Sequence, residues 1–482
     1  MRAQDQAAAA AGDATGNAAS RRWPSQVWFI LGNEAAERFS FYGVRGILTL
    51  YMTSVLLKSE SDATHIHHLF VSANYFMPIL GAWVADRFWG RYQTIFWISL
   101  SYCLGHGVMA LGDTFQGVDA KIACLYAGLA LIAFGAGAIK PCVSALMGDQ
   151  FRTDQNHLLR KAFAGFYWAI NVGSTAGLLA TPIIRKEYGY GWAFGVPGIA
   201  MALATFVLWL GRKRYVMVPP ARKTRTAGFF RIFFHALSRR NERKPGESFW
   251  DGARSRFSDA EVDAARSVAP ILSIFAFAPI FWSLFDQTFS TWVLQGARMV
   301  PYSIGRFTVG PETMLAANPI LVMIFVPILT WLVYPAMGRF ATPLRRMALG
   351  MFLAAFSFVV VAVMQTRIEA GEQLSILWQL LPYVIITVAE VLFSTTGLEF
   401  AFREAAASMK STITGIWWLT VCLGNLFVSV LTSALAGGGG EDAAVSTERF
   451  LLYAGMTAVV AVLFSIAASF YRYRDAAAAM GK

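Results

Sequence analysis

Apolar stretches recur along almost the whole chain, each about twenty residues long, which is the length that an α-helix needs to cross a bilayer. Short turns rich in glycine, proline and charge separate them. A soluble domain has no interior that could hide so many apolar segments, so the composition indicates an all-α integral membrane protein. We place twelve transmembrane helices, at approximately 27–56, 65–86, 93–112, 122–146, 159–184, 192–211, 268–295, 313–337, 345–366, 376–402, 411–435 and 448–471.

A long polar stretch divides these helices into two groups of six. Two six-helix halves joined by such a loop resemble the layout of the major facilitator fold, in which substrate is held near the midplane between the halves. Within the loop, residues 228–238 have the pattern of a short amphipathic helix on the inner membrane face. The predicted domains are a tail at 1–25, a first bundle at 26–212, a linker at 213–267, a second bundle at 268–472 and a tail at 473–482.

Basic residues are concentrated in the loops that lie on one side of the predicted membrane. The chain has a formal net charge of +12, and a cytoplasmic N-terminus places most of the 41 lysines and arginines on the cytoplasmic side. The basic linker at 213–267 should be attracted to the negatively charged lipids of the inner leaflet. No fold signature for nucleic-acid binding accompanies its charge. We therefore expect contact with membrane lipid and none with nucleic acid, and we expect both termini to be cytoplasmic.

The cysteines indicate no special chemistry. All four lie within predicted membrane helices, with neither a pairing pattern nor metal-ligand spacing, and they are expected to be small buried apolar side chains. They are Cys103, Cys124, Cys142 and Cys422. The sequence thus implies no disulfide, metal or cofactor.

The first predicted helix carries charges that lipid would not tolerate. Glu34, Glu37, Arg38, Tyr42 and Arg45 are spaced three or four residues apart and share one helix face. Each charge at the membrane centre costs about 3 kcal/mol on insertion scales. One reading is a self-neutralising structural cluster, with Glu34 paired to Arg38. The reading we favour is a cavity wall whose charges bind substrate and relay protons. A purely structural helix built from leucine and alanine would insert into the membrane at a lower free-energy cost.

Several motifs in chain order resemble those of the proton-dependent oligopeptide transporter (POT) family. "EAAERFSFYG" resembles the first-helix motif E-x-x-E-R-F-x-[FY]-Y-G of that family. Further similar segments follow at 81–95, 137–151, 163–174, 281–295, 316–320, 389–411 and 415–420. The resemblance implies a twelve-helix major facilitator fold and proton-coupled import of di- and tripeptides across the cell inner (cytoplasmic) membrane by a functional monomer.

The resemblance implies a proton-coupling group. Glu34, Glu37 and Arg38 match the coupling cluster of the family, where burial favours a neutral carboxyl group and the arginine favours a charged one. Asp286 matches an acidic residue that pairs with a cation across the two halves. The segment "HLFVSANYFMPILGA" resembles mammalian peptide transporters and places a titratable histidine at His68, in the outer half like Asp286. The alternative for His68 is an interfacial histidine without a role.

Two neighbouring histidines and the peptide site complete the prediction. His65 and His67 are expected to be solvated loop residues. The resemblance assigns the peptide carboxylate to Arg45 and Lys140, and the peptide amino group to Glu390. The alternative for Lys140 is snorkelling to the inner surface. Amide and aromatic contacts are expected from Asn171, Asn318, Tyr42, Tyr75 and Trp417, with ordinary helix packing as the alternative for the aromatic residues.

Other charged positions match parts of the family that do not contact substrate. Asp86, Arg87 and Arg91 resemble a bracing motif at the cytoplasmic end of the second helix, and Glu399 is expected at an inner gate or in packing. Phe41 stands where many members have tyrosine, which removes one hydroxyl from the cavity.

The residues leave three other classes of function open. One is a receptor or channel, but the titratable groups within the membrane are spread across both halves, which fits a carrier better. A family relative could carry a different anion, such as nitrate, or a peptide-like drug, but Glu390 together with Arg45 and Lys140 favours a zwitterion. A membrane enzyme would need a nucleophile–base pair or a metal cluster, and the sequence shows neither pattern.

Overall fold

The computed structural model describes most of the chain. The described residues are 23–152, 155–220, 228–242, 246–305, 307–436 and 444–473. The predicted tails at 1–25 and 473–482 lie almost entirely outside them, and the predicted linker lies partly outside them.

Nine helices in the described residues are long and apolar enough to cross a membrane, and a bent pair makes ten. Dividing the longest of them at its kink and adding the charged first helix gives twelve spans, close to the predicted positions. They are span 1, Val27–Ser54; span 2, Glu60–Val84; span 3, Arg91–Gly112; span 4, Val118–Asp149; spans 5 and 6, Asn156–Leu210; span 7, Val268–Phe275 with Ala278–Ala297; span 8, Pro311–Met337; span 9, Pro343–Glu369; span 10, Ile376–Glu404; span 11, Lys410–Ala436; and span 12, Thr447–Phe470.

Four of these spans depart from a simple apolar helix. Spans 5 and 6 are two helices that follow each other without a loop, and they meet at a kink at Gly189, whose φ of 86° and ψ of 177° favour glycine. Span 7 bends by 46° between its two pieces. Span 1 has the required length but contains the four charges discussed above.

Span 1 lies directly against span 5. A Cβ atom on Gly173 would come within 2.2 Å of the carbonyl oxygen of Ala35, and one on Gly177 within 2.4 Å of that of Phe39. Only glycine allows the two backbones to approach so closely. This packing uses one face of span 1 and leaves the charged stripe on other faces.

The two ends of the bundle are structurally different. At one end, β1 (Tyr302–Ile304) and β2 (Phe307–Val309) form an antiparallel hairpin that the all-α prediction did not include. We call this the hairpin end. The opposite end carries the segment between spans 6 and 7, and we call it the linker end. Each half has its own buried apolar core.

The predicted helix of the linker is present as Phe229–Ser238, which we call the linker helix. It is followed by Asp259–Arg266, whose first turn is closed by a capping box between Ser258 and Glu261. The linker helix packs against Trp250 through the ring of Phe229. The linker is therefore partly folded and joined to the second half.

An arginine ties the linker together. Arg254 binds Asp251, Asp259 and Asp263 at 3.0, 2.5 and 2.7 Å. The backbone N–H of Ser248, followed by Arg254, lowers the pKa of Asp251, since both stabilise its charged form. The hydrogen bonds that Arg254 donates to Asp259, Asp251 and Asp263 raise its own pKa, because they stabilise its charged form. Arg254 and Asp251 are partly exposed and Asp259 and Asp263 are exposed, so salt should weaken the interaction.

Candidate functional site

The predicted cluster on span 1 is assembled within that helix. Nε of Arg38 lies 3.0 Å from Oε1 of Glu34, and its Nη2 lies 2.5 Å from Oε2 of Glu37. All three side chains are less than a tenth exposed. The predicted Glu34–Arg38 contact is thus present. Two carboxylates share one guanidinium, so the trio has an excess negative charge when both are ionised and can accept one proton.

Lys140 lies among aromatic side chains of the first half. Its Nζ is 4.1 Å from the centre of the Tyr75 ring and 4.7 Å from that of Phe41, and it donates a hydrogen bond to Oδ1 of Asn74. A cation in this position gains from the ring faces. Phe41 thus offers Lys140 a ring face where a tyrosine would add a hydroxyl.

Arg45 is bound to the other half of the molecule. Its Nη2 lies 2.6 Å from Oδ1 of Asp286 on span 7, and its guanidinium lies 4.0 Å from the centre of the Phe289 ring. The side chain is almost fully buried. Arg45 and Lys140, which were predicted to hold the peptide carboxylate together, therefore have different partners in this conformation.

An amide connects Asp286 to the predicted histidine. Nδ2 of Asn425 on span 11 donates to Oδ2 of Asp286 at 2.7 Å, while its Oδ1 lies 2.8 Å from Nδ1 of His68. Nε2 of His68 lies 2.8 Å from the hydroxyl of Ser290. His68 is thus buried between the halves, and it contacts Asp286 through Asn425. The direct cationic partner of Asp286 is Arg45.

The prediction that His65 and His67 are solvated loop residues is wrong. His67 is fully buried, and its Nε2 accepts a hydrogen bond from Nε of Arg45 at 3.2 Å. Its Nδ1 lies 3.0 Å from the hydroxyl of Thr49. Nδ1 of His65 lies 2.8 Å from the hydroxyl of Ser429 on span 11. Both histidines therefore lie where spans 1 and 2 of the first half meet spans 7 and 11 of the second half at the hairpin end. We call this region the contact zone.

With span 2 predicted to begin at residue 65, both histidines stand at its very end, where contact with solvent is expected. The helix begins at Glu60 rather than near residue 65, because the hydroxyl of Ser59 caps it by accepting from the N–H of Asp62 at 3.0 Å. A serine followed three residues later by an acidic residue is a sequence signal for a helix start, and it could have identified this boundary.

The predicted acidic end of the peptide site lies in the second half. Nδ2 of Asn318 on span 8 donates to Oε2 of Glu390 at 2.8 Å and to the hydroxyl of Thr387 at 3.1 Å. Asn171 instead donates to the carbonyl of Tyr167 on its own helix. The structure thus brings together Glu390 and Asn318. A π-helical turn follows Glu390 directly, a feature that is frequent at functional sites.

Two adjacent tryptophans of span 11 have different surroundings. Trp417 is 2% exposed and packs within the second half against Phe275, 4.9 Å away between ring centres. Trp418 stacks on Tyr75 of the first half at 5.6 Å. Trp418, which was not predicted, therefore meets a predicted site residue, whereas Trp417 lies in aromatic packing. Tyr42 lies 5.9 Å from Phe289.

Further contacts join the halves at the hairpin end. Arg185 of span 5 binds Oε2 of Glu312 at 2.6 and 3.0 Å through Nη2 and Nε, and Arg298 binds Glu60 at 2.6 Å. Together with the Arg45–Asp286 pair, they hold this end closed. Several participants lie outside the predicted site, although each is a polar or aromatic residue within or beside a span: Thr49, Ser290, Glu312, Trp418 and Asn425.

The bracing residues lie at the linker end. Arg91 pairs with Asp149 at the end of span 4, so it connects two helices of the first half. Asp86 and Arg87 lie in a π-helical turn after span 2. Glu399 pairs with Arg403 on the next turn of span 10 at 2.8 Å. These contacts lie away from the buried groups of span 1.

Comparison with known proteins agrees with these observations. The POT family profile (PTR2) matches residues 92–441, which is more than half of the chain. The chain belongs to the POT family. Peptide transporter 3 of Caenorhabditis elegans is 38% identical over 363 residues, covering 72% of this chain and 52% of the relative. Human solute carrier family 15 member 2 is 36% identical over 363 residues, again covering 72% of this chain but 50% of the relative. The chain thus spans about half the length of these curated POT relatives.

Solved POT structures match over much more of their length. An auto-inhibited POT family peptide transporter is 36% identical with a TM-score of 0.85, covering 95% of this chain and 100% of the other. The POT family transporter PepTSo is 38% identical with a TM-score of 0.84, covering 94% and 99%. These matches confirm the predicted multi-helix membrane transporter fold.

Proposed function

We propose that this POT-family chain is a proton-coupled symporter that imports di- and tripeptides by alternating access. The observation that carries the proposal is the placement of opposite charges in opposite halves. Lys140 on span 4 offers a cation, and Glu390 on span 10 offers a carboxylate steadied by Asn318. A short zwitterion can pair with both groups at once, whereas a lone anion such as nitrate gives Glu390 no partner.

Binding and conformational change are coupled in this arrangement. A peptide that contacts both halves favours the conformation in which they approach each other, because a ligand shifts the equilibrium toward the state that it binds better. The main-chain ends are common to all short peptides, so their capture permits a broad range of side chains. Tyr75 stacks on Trp418 of the other half, and Tyr42 lies beside Phe289, so we assign these aromatic side chains to contacts with the peptide between the two charged ends.

The proton is assigned to two places. In the span 1 cluster, protonation of Glu37 or Glu34 removes the excess negative charge around Arg38. In the contact zone, protonation of Asp286 weakens its pairing with Arg45 and lets the hairpin end open. His68 acts on Asp286 through the amide of Asn425. The proton would thus influence both the occupancy of the site and the opening of the gate.

We assign the hairpin end to the outer side and the linker end to the cytoplasm of the cell inner membrane. Residues 212–266 contain 14 lysines and arginines but 6 acidic residues, which is the charge bias expected of a cytoplasmic segment. Both termini are then cytoplasmic. The apolar outer surfaces of the spans contact membrane lipid. A functional monomer is sufficient, because a single chain supplies both the cationic and the acidic end of the peptide site.

The test uses the full chain purified and reconstituted in liposomes. An imposed inward proton gradient should drive accumulation of labelled dialanine above equilibrium, and a protonophore should abolish it. Excess unlabelled dipeptides should compete, whereas nitrate should not. Absence of gradient-dependent accumulation together with absence of competition by dipeptides contradicts the proposal, and competition by nitrate alone would favour the anion alternative.

A further inference from the structure

The linker helix is apolar over a wider arc than its packing uses. Phe229, Ile232 and Ala236 are buried against the second half. Phe230, Phe234 and Leu237 lie side by side next to this buried face, and they are 54%, 61% and 42% exposed. Spacings of three, four and seven residues place them on one stripe of the helix. We call these three side chains the outer stripe.

The remaining arc of the helix is polar. Arg231, His235 and Ser238 lie opposite the junction between the buried face and the outer stripe, and Arg231 and Ser238 are exposed. A helix in contact with protein on one side and water on all others needs only one apolar face. The three-part division fits a helix that touches the protein, an apolar phase and water at the same time.

The position of the helix identifies the apolar phase. The buried face of the linker helix shares one core with Val262 and Ala265, which belong to Asp259–Arg266. Only Ser267 separates that segment from the start of span 7 at Val268. The linker helix is therefore held at the level where a membrane span begins, which is the interfacial region of the bilayer.

Charge favours an anionic surface at this level. Arg239 and Arg240 follow the helix directly and are exposed, and the whole segment 212–266 is strongly basic. Basic residues beside an apolar helix face are attracted to acidic phospholipids. We propose that the linker helix inserts the outer stripe into the leaflet on the linker side and thereby binds anionic phospholipid. The leaflet is the inner one, and this part of the inference rests on the orientation proposed above.

The consequence is an attachment of one half only. The linker helix packs on residues that lead into span 7, so its contact with lipid is transmitted to the second half, while the chain from span 6 joins it through residues 211–228. When the halves move against each other, the second half would keep its position relative to the leaflet. Lipid composition then influences the transport cycle at a place far from the peptide site.

The experiment measures the depth of single labels in the full chain. The four native cysteines are replaced by serine, and one cysteine is introduced at a time as Phe234→Cys or, on the polar arc of the same helix, Ser238→Cys. Each is labelled with a small environment-sensitive fluorophore and reconstituted with phosphatidylcholine and phosphatidylglycerol, with or without bromine on the upper acyl chain. Labels that enter the boundary between headgroups and acyl chains are quenched by the bromine.

We expect quenching at position 234 to exceed that at position 238 by about twofold or more, as for a helix lying in the interface. Removing phosphatidylglycerol should reduce the quenching at 234, because the anionic surface is lost. Phe230→Cys provides a second site on the outer stripe if Phe234→Cys is poorly folded, and the same quenching is expected there.

Two results would overturn the inference. Equal quenching at positions 234 and 238 would mean that the helix has no preferred face toward lipid. A label at 234 that is shielded from aqueous iodide but insensitive to bromine would mean that protein, such as a second copy of the chain, covers the outer stripe. Quenching does not depend on transport, so peptide uptake by the same vesicles separates failure of this inference from failure of the proposed function.

Discussion

Two arginines of span 1 have different kinds of partner: Arg38 pairs within its own helix, and Arg45 pairs with the other half of the molecule. Arg38 binds two glutamates of its own helix, at 3.0 and 2.5 Å. Arg45 lies two turns further along and binds Asp286 of the other half at 2.6 Å. Both arginines are buried, so neither contact is a loose surface pair.

The difference separates two tasks. Movement of the halves leaves the partners of Arg38 in place, so this cluster can keep or release a proton in any conformation. In the proposed cycle, the Arg45–Asp286 contact exists only while the hairpin end is closed. We therefore propose that Arg38 belongs to a site that stays intact during the cycle, and that Arg45 belongs to a contact that must break. The predictions below test this division.

The largest effect is expected from Arg38→Ala. Removal of the guanidinium leaves Glu34 and Glu37 buried without their counter-charge, which costs about 3–5 kcal/mol when one partner of a buried pair is lost. Both proton-driven uptake and peptide counterflow should disappear, and the melting temperature should fall. Arg38→Lys is the matched control and should retain more stability. Full uptake by Arg38→Ala would remove the cluster from the mechanism.

Glu37→Gln is expected to divide the two transport modes. The amide cannot exchange a proton, so uptake driven by a proton gradient should fall by at least about tenfold, which corresponds to about 1.4 kcal/mol in the driving step. Counterflow of labelled against unlabelled dipeptide should persist, because the peptide contacts remain. Glu448→Gln, an exposed carboxylate in the first turn of span 12, is the control. If counterflow is lost as well, Glu37 has a structural or substrate-binding role.

Asp286→Asn tests the contact that must break. The amide keeps the shape of the side chain but removes the charge that holds Arg45, so the ratio of open to closed hairpin ends should rise about tenfold. Distances between spin labels at the hairpin ends of the two halves measure this ratio. The exchange of both residues, Arg45→Asp with Asp286→Arg, should restore part of the closed population. An unchanged distance distribution in Asp286→Asn would show that the Arg45–Asp286 pair does not stabilise the closed hairpin end.

The two arginines also differ in how far the sequence predicts them. The contact of Arg38 with Glu34 follows from helix geometry, because residues four apart share a face. The partner of Arg45 is 241 residues away, and its pairing depends on how the halves meet. Periodicity carries no information about that arrangement. The motif resemblance placed Arg45 and Asp286 in the site, but it gave them different partners.

Errors at helix ends have a local cause. The apolar patterns of span 1 and of the linker helix locate them, whereas the turn of span 2 before residue 65 is polar and gives no apolar signal. His67 was consequently assigned to a loop, although it contacts Arg45. The capping signal at Ser59 is a property of the sequence, so this error was avoidable. The packing of Trp417 and Trp418 on different sides depends on tertiary structure.

His68→Ala tests the weaker link to Asp286. The histidine acts through Asn425, so its loss should shift the pH dependence of uptake and reduce the rate by a few-fold, less than the loss of Asp286 itself. His235→Ala on the linker helix removes a titratable ring outside the contact zone and should leave the pH profile unchanged. An unaltered profile in His68→Ala would return this residue to a purely interfacial role.

The smallest effect is expected from Glu60→Gln at the rim of the hairpin end. Its ion pair with Arg298 also joins the two halves, at 2.6 Å, but both side chains are partly exposed, by 25% and 35%. Pairs of this kind contribute about 0–1 kcal/mol and are screened by salt, so the closed population should change by less than about fivefold and the change should vanish at high ionic strength. Spin-label distances in low and high salt measure this. An effect as large as that of Asp286→Asn would show that the exposed Glu60–Arg298 pair keeps the hairpin end closed as strongly as the buried Arg45–Asp286 pair does. Burial would then not explain which contact between the halves matters more.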